Sequence, residues 1–338
     1  MNLKNEIIEI TSTYFDEEID YLKLSETTRA YSDILKSMVG KSLDSTDSRN
    51  DINFNNGKAL GTFWAAECIN DIIRTRQFIK GIDSAIKDAM KTKGSLNILY
   101  AGTGPYAALL LPSLLRNQDA DINYIFLEIN PISFEILKSI ILKLDLSNWK
   151  IKTYMEDAST YKLDPKNPPD IIISETMQNA LAKEQQVPIF LNLMSQCDSK
   201  TIFIPERINL FLGLKKSDLQ LGKITQEDYK KLHKVFEVSS NSDFLISNNV
   251  NEDFNNHVEF PKNRNLIDVD ELTGRDMVVL LTEIGVYKNI KININESGLT
   301  TPLYIYPLNT DNNNKKLKIE TQYKIDNEPK LHYTINEE

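Results

Sequence analysis

Five short runs dominated by Ile, Leu, Tyr and Phe, at 97–101, 122–127, 151–155, 169–173 and 202–204, constrain this chain most. Runs this short and this apolar read as strands buried on both faces. Helical patterns alternate with them. One runs from the glycine-containing turn after 101 through Leu115, and one opens at Asn130-Pro131 with Ile132, Ile136, Leu137, Ile140 and Ile141 on a single face. Asn and Pro there are the expected N-cap and first helical residue. Alternation of this kind specifies an α/β fold around a parallel sheet. In open sheets of that class ligands bind beyond the carboxyl ends of the strands, so the residues that follow each run are the candidates for function.

Gly102, Thr103, Gly104 and Pro105 follow the first run. Glycines there let the backbone approach a ligand closely, and the next helix turns its electropositive end toward it. Glu128 closes the second run, the usual place for an acid that binds ribose hydroxyls. Glu156 and Asp157 close the third, where an adenine amine would be received. Glu175 follows the fourth, and Glu184 opens a segment with Val187, Ile189, Phe190, Leu193 and Met194 at helical spacing. Two carboxylates at one crevice make a clamp for a cation, and a planar guanidinium suits bidentate pairing with them. The plain alternative is a solvated acid at Glu175 and a helix-start acid favoured by the macrodipole at Glu184. The loop between them carries little turn chemistry.

Apolar positions at helical spacing over 3–38 predict two helices, 40–57 reads as a polar, mobile loop, and 64–75 reads as one amphipathic helix. On that helix Asp71 and Arg74 stand at i,i+3, so a surface ion pair is one reading of Arg74. From Arg207 onward separate strands replace the alternation: 208–214, 277–282, 290–294, 303–306, 317–323 and 331–335. In 317–323, Leu317, Ile319, Thr321 and Tyr323 share one face, the pattern of a half-buried antiparallel strand. Residues 225–237 read as a helix capped by Thr225, with Asp228 at the capping-box position, and 239–256 as a loop. His233 then lies on a polar helix, His257 in a loop and His332 toward solvent, so no histidine is assigned to catalysis. The expected division is 1–95 helical, 96–206 Rossmann-like, and 207–338 a β-sandwich or barrel.

With 338 residues and a net charge of −9, the chain is too acidic for a nucleic-acid surface and suited to drawing in a cation. Cys68 and Cys197 show no metal-ligand spacing and read as reduced thiols, with no metal site expected. No run of eighteen apolar residues and no signal-like start occur. A cytoplasmic protein with no membrane partner is the expectation.

Several of these motifs together resemble the protein arginine methyltransferases. Ser174-Glu175, Met177 and Glu184 are similar to that family's double-glutamate loop, and Ile202-Phe203-Ile204-Pro205-Glu206-Arg207 to the strand that leaves it. Asp71, Arg74 and Thr75 match a motif on the preceding helix, with Cys68-Ile69 where Met-Leu is usual. The resemblance is good over about 58–214 and architectural elsewhere. It implies a class I methyltransferase domain using S-adenosylmethionine. Arg74 would bind the methionyl carboxylate, Gly102, Thr103 and Gly104 the cofactor, Glu128 the ribose, Glu156 the adenine, and Glu175 and Glu184 the substrate guanidino group. A homodimer, with an arm drawn from 215–265, is also implied.

Two departures qualify it. Tyr100 replaces the acid of the first motif and Tyr106 its third glycine; GTGPYA instead fits G-x-G-x-x-A, the dinucleotide fingerprint, and an NAD-dependent enzyme is the alternative. The stretch 298–303, where a Thr-His-Trp loop would fall, contains neither His nor Trp. That absence leaves room for an amine, small-molecule or modified-peptide acceptor, and the intact carboxylate pair speaks against a non-catalytic partner role.

Overall fold

The computed structural model describes residues 2–39, 43, 45–217, 226–240, 258–308 and 316–338. Two helices open it, α1 (Leu3–Ile10) and α2 (Tyr21–Val39). The polar stretch read as a loop contains a small hairpin, β1 (Ile52–Phe54) and β2 (Gly57–Ala59); residues 40–42 and 44 lie outside the described residues. The single helix expected over 64–75 is two, α3 (Thr62–Glu67) and α4 (Ile72–Met90). Asp71 separates them. Its backbone is extended (φ −75°, ψ 94°) and its Oδ1 accepts the Arg74 N–H at 3.1 Å, so α4 starts with its own cap.

The five apolar runs form one parallel sheet from β3 (Leu96–Ala101), β4 (Ile122–Leu127), β5 (Ile151–Tyr154), β6 (Ile171–Ser174) and β7 (Ile202–Ile204), in the order β5-β4-β3-β6-β7. Between them run α5 (Leu111–Arg116), α6 (Pro131–Lys143) and α7 (Gln186–Met194). Ile171, Ile172 and Ile173 are all fully buried, as a central parallel strand covered on both faces requires, and each contributes about 1.5–3 kcal/mol by burial. The strand order reverses at β3, which pairs with β4 on one side and β6 on the other. A ligand crevice is expected beyond the carboxyl ends at that switch point.

The described strands after β7 pair antiparallel. β8 (Arg207–Lys216), β9 (Tyr229–Ser239), β12 (Arg275–Tyr287), β13 (Ile290–Ile292) and β14 (Leu303–Pro307) make one sheet. β10 (Val258–Glu259), β11 (Asn263–Ile267), β15 (Leu317–Ile325) and β16 (Lys330–Glu337) make a second. Burial in β15 alternates as the sequence predicts, with Leu317, Ile319, Thr321, Tyr323 and Ile325 inward. Tyr323 stacks on Phe236 of β9 with centroids 4.2 Å apart and rings 10° from parallel, and Phe260 meets both edge-on. This aromatic trio joins the two sheets.

In place of the helix expected over 225–237 there is a 3-10 turn at Gln226–Asp228 and then the strand β9, on which His233 lies; Thr225, the expected cap, lies outside the described residues. Two register shifts explain the misreading. β9 slips against β8 between Leu210 and Phe211 and again between Leu212 and Gly213. Each bulge inserts a residue and breaks the two-residue period, leaving the spacing of Tyr229, Leu232, Val235 and Phe236 that imitates a helix. His332, expected toward solvent, is half-buried with its Nε2 shielded. Residues 241–257, including His257 and most of the loop expected at 239–256, lie outside the described residues.

Candidate active site

A cavity of about 460 Å³ opens at the switch point, and every residue nominated from the sequence lines it: Arg74, Gly102, Thr103, Gly104, Glu128, Glu156, Glu175 and Glu184. They come from α4, from the β3, β4 and β5 ends, and from the loop after β6. Chain topology therefore brings together residues as far apart in sequence as 74 and 184.

At one end of the cavity the backbone turns sharply after β3. Gly102 (φ +72°) and Gly104 (φ +61°) take the left-handed conformation that only glycine adopts without strain. A Cβ on Gly102 would meet Thr176 Cγ2 at 2.3 Å, whereas one on Gly104 would find only Ala65, at 3.9 Å. Gly104 thus leaves a space facing the cavity. Glu128 answers this turn from the next strand. Its Oε2 accepts the Gly104 N–H at 2.7 Å and its Oε1 the Asn130 N–H at 2.8 Å, while Asn130 also caps α6. Burial pushes the Glu128 carboxyl up to about 7, against those backbone donors and the Thr103 hydroxyl, which favour its charged form. Glu156 lies exposed at the rim.

At the other end, Glu175 and Glu184 are both buried. Glu175 is ion-paired with the Arg74 guanidinium, whose NH1 also donates to the Cys68 carbonyl at 3.0 Å. Arg74 is therefore not in a surface pair with Asp71, which binds only its backbone. Glu184 differs from its partner: its Oε1 is enclosed and has no hydrogen-bond partner among the described residues. Burial pushes its carboxyl up to about 7, against the pull of Lys58, Arg74 and Gln178 toward the charged form. A buried carboxylate poised near neutrality is a proton acceptor suited to general-base work.

The loop carrying these acids is strained and held from outside. Ala180, Leu181 and Lys183 have φ of 55°, 54° and 68°, a conformation that costs non-glycine residues on the order of 1 kcal/mol or more each. Four contacts hold it there: the Thr282 hydroxyl accepts the Ala180 N–H (3.2 Å), the Tyr323 hydroxyl donates to the Leu181 carbonyl (2.6 Å), the Lys183 N–H donates to the Pro329 carbonyl (2.7 Å), and the Lys58 N–H donates to the Lys183 carbonyl (2.9 Å). Three of these partners belong to the antiparallel sheets or their turns and one to the β1–β2 hairpin.

That hairpin was invisible in the sequence. Lys58 lines the cavity beside Glu184, and Asn56 is buried, donating to Ser159 Oγ at 3.0 Å and accepting from Gln185 Nε2 at 2.7 Å. The asparagine-rich stretch signalled a turn, but not these contacts. The stretch at 298–303 does reach the cavity, through Gly298 and Leu299. Asp71 Oδ2 accepts from Ser297 Oγ at 2.6 Å and from the Gly298 N–H at 2.8 Å, tying the cap of α4 to the C-terminal sheets. Tyr100 and Tyr106, the two departures in the first motif, also line the cavity, and burial raises both hydroxyls above their ordinary range. Among the described residues no group of three His, Cys, Asp or Glu could hold a metal ion.

No family model matches this chain, and no curated protein matches it in sequence. Among solved structures it is similar to the Trypanosoma brucei PRMT1 enzyme–prozyme heterotetrameric complex with AdoHcy, at 12% identity and a TM-score of 0.47 over 80% of this chain and 96% of that one. It is also similar to Arabidopsis thaliana protein arginine methyltransferase 10, at 10% identity and a TM-score of 0.49 over the same shares. At such values the chemistry has to be read from the cavity itself.

Proposed function

We propose that this chain is an S-adenosylmethionine-dependent N-methyltransferase of the arginine-methyltransferase type, acting on a guanidino or amine nitrogen of a peptide or small molecule. One observation carries the reading. A single cavity joins a glycine turn backed by a strand-end acid to a buried pair of carboxylates. The first is what an adenosine-containing ligand needs; the second is what a cationic or proton-bearing nitrogen needs.

The residues present fit the cofactor. The opening at Gly104 would take its close approach, Glu128 the ribose, Glu156 the adenine and Arg74 the carboxylate. Bound there, S-adenosylmethionine supplies an electrophilic methyl group. This chain's own residues then do three things. Glu175 and Glu184 bind the acceptor nitrogen and hold its lone pair in line, since positioning supplies much of the rate in a displacement. The Glu184 carboxylate takes the N–H proton as the nitrogen gains its methyl group. The loop between Glu175 and Glu184, held by Tyr323 and Pro329, keeps Glu184 at the cavity. The reading also carries a cytoplasmic homodimer with its arm within 215–265, acting on neither nucleic acid nor membrane. Among the described residues no helix is long and apolar enough to cross a membrane.

The test is transfer of an isotope-labelled methyl group from S-adenosylmethionine to arginine- and lysine-containing peptides and to small amines. Label in a nitrogen-linked product, lost in Glu184→Gln, supports the proposal. No transfer, together with hydride exchange on NAD, would replace it with the dinucleotide reading that GTGPYA permits.

A further inference from the structure

One buried ion pair lies in the wall of the cavity. Arg74, the cation available to a cofactor carboxylate, is bound to Glu175, one of the two acceptor carboxylates. Both are buried, with side chains 10% and 3% exposed, so neither is compensated by solvent. The other terminal nitrogen of Arg74 is held by the Cys68 carbonyl at 3.0 Å, and its backbone is fixed by the Asp71 cap. The guanidinium therefore sits in the cavity that the glycine turn also lines, on a fixed root. Lys58, the other lysine or arginine lining the cavity among the described residues, is paired with Asp51 at 2.6 Å.

Building on the methyltransferase reading, we propose that Arg74 couples the two sites: a carboxylate at the cofactor end draws its guanidinium from Glu175 and thereby readies Glu175 for the acceptor cation. A guanidinium shared by two carboxylates binds each less tightly than it binds one. Glu175, relieved of its internal partner, is then a buried carboxylate in need of a cation, next to Glu184, which has none of its own within bonding distance among the described residues. Linkage requires the effect to be reciprocal. The cofactor strengthens acceptor binding by the same factor as the acceptor strengthens cofactor binding. A protein without cofactor holds Glu175 closed to cations, so loading is ordered.

The coupling depends on one chemical group of the ligand, which makes it testable by binding alone. S-adenosylhomocysteine carries the amino-acid carboxylate; 5′-methylthioadenosine has the same nucleoside and thioether without it. Calorimetric titration of the full chain with methylguanidinium and with methylammonium is made alone, with saturating S-adenosylhomocysteine, and with saturating methylthioadenosine. S-adenosylhomocysteine is expected to tighten cation binding by roughly 5- to 100-fold and methylthioadenosine to leave it within about twofold. Equal coupling by both nucleosides, coupling by neither, or no cation binding under any condition would overturn the inference, while nucleoside binding itself leaves the methyltransferase reading standing. If neither nucleoside binds, that reading fails and the coupling with it. Glu175→Gln separates gating from mere scaffolding. Gating predicts that S-adenosylhomocysteine binds this variant several-fold tighter, because Arg74 is no longer contested. A scaffold role predicts weaker binding together with a lower melting temperature, which would contradict the proposal.

Discussion

The two ends of the cavity are built on different principles. At the glycine-turn end the contacts of Glu128 are local to the parallel sheet, and Asn130 is further held by the Thr62 hydroxyl and the Leu60 carbonyl. The left-handed backbone falls on Gly102 and Gly104, where it costs little, and Glu128 is satisfied by two backbone N–H groups. At the paired-carboxylate end the left-handed residues are Ala180, Leu181 and Lys183, Glu184 has an unpartnered oxygen, and the loop is held by distant strands. The first end rests mainly on the parallel sheet. The second exists because the antiparallel sheets and the hairpin hold it in place, and stored strain and unmet hydrogen bonds concentrate at sites that act.

The contrast breaks most sharply at Glu184. Glu184→Gln is expected to lower turnover by about 10²- to 10⁴-fold, the usual worth of a positioned base, while S-adenosylhomocysteine affinity moves by less than about threefold. Equal losses in both would mean that the two ends are one unit.

Stability against pH gives the next effect. A carboxyl raised to about 7 in the folded protein, from an unfolded value near 4.3, contributes stability that is full below the unfolded value and is lost as the pH rises toward the folded one. Glu184→Gln should therefore gain on the wild type between about pH 4.5 and 8, by up to roughly 3 kcal/mol in urea unfolding. A difference that stays constant across that range would contradict the buried state of Glu184.

Glu128→Ala removes a group that accepts two backbone N–H bonds and lines the glycine-turn end of the cavity. Cofactor affinity is expected to fall by about 10- to 100-fold, the worth of a charge-assisted hydrogen bond. Turnover at saturating cofactor should change far less, which steady-state kinetics would reveal as a change in KM.

The smallest effect is the most diagnostic of how the second end is held. Tyr323→Phe deletes the bond to the Leu181 carbonyl, at a cost of about 1 kcal/mol and a few degrees of melting temperature. Turnover should drop while cofactor binding is unchanged; the opposite pattern would place the β15 contact at the wrong end.

The same contrast explains what could be read from the sequence. The parallel sheet was legible because doubly buried strands are continuous apolar runs, and Gly102, Glu128 and Glu175 were legible because strand ends are where such sheets bind ligands. The hairpin was not, since three-residue strands carry no periodic signal and Asn56 acts through residues 103 and 129 positions away. The strain at 180–183 was not, because nothing in Ala, Leu or Lys announces a left-handed backbone that tertiary hydrogen bonds impose. β9 was misread because two bulges erased its alternation.

Ligand-dependent thermal unfolding tests the central claim most directly, with S-adenosylhomocysteine at about a hundred times the concentration that half-saturates and NAD added separately at that same concentration. Binding at the glycine-turn end should stabilise the fold by about 2.7 kcal/mol, raising the melting temperature by several degrees with S-adenosylhomocysteine and leaving it unmoved with NAD. A shift with NAD alone would contradict the methyltransferase reading and make GTGPYA a dinucleotide turn.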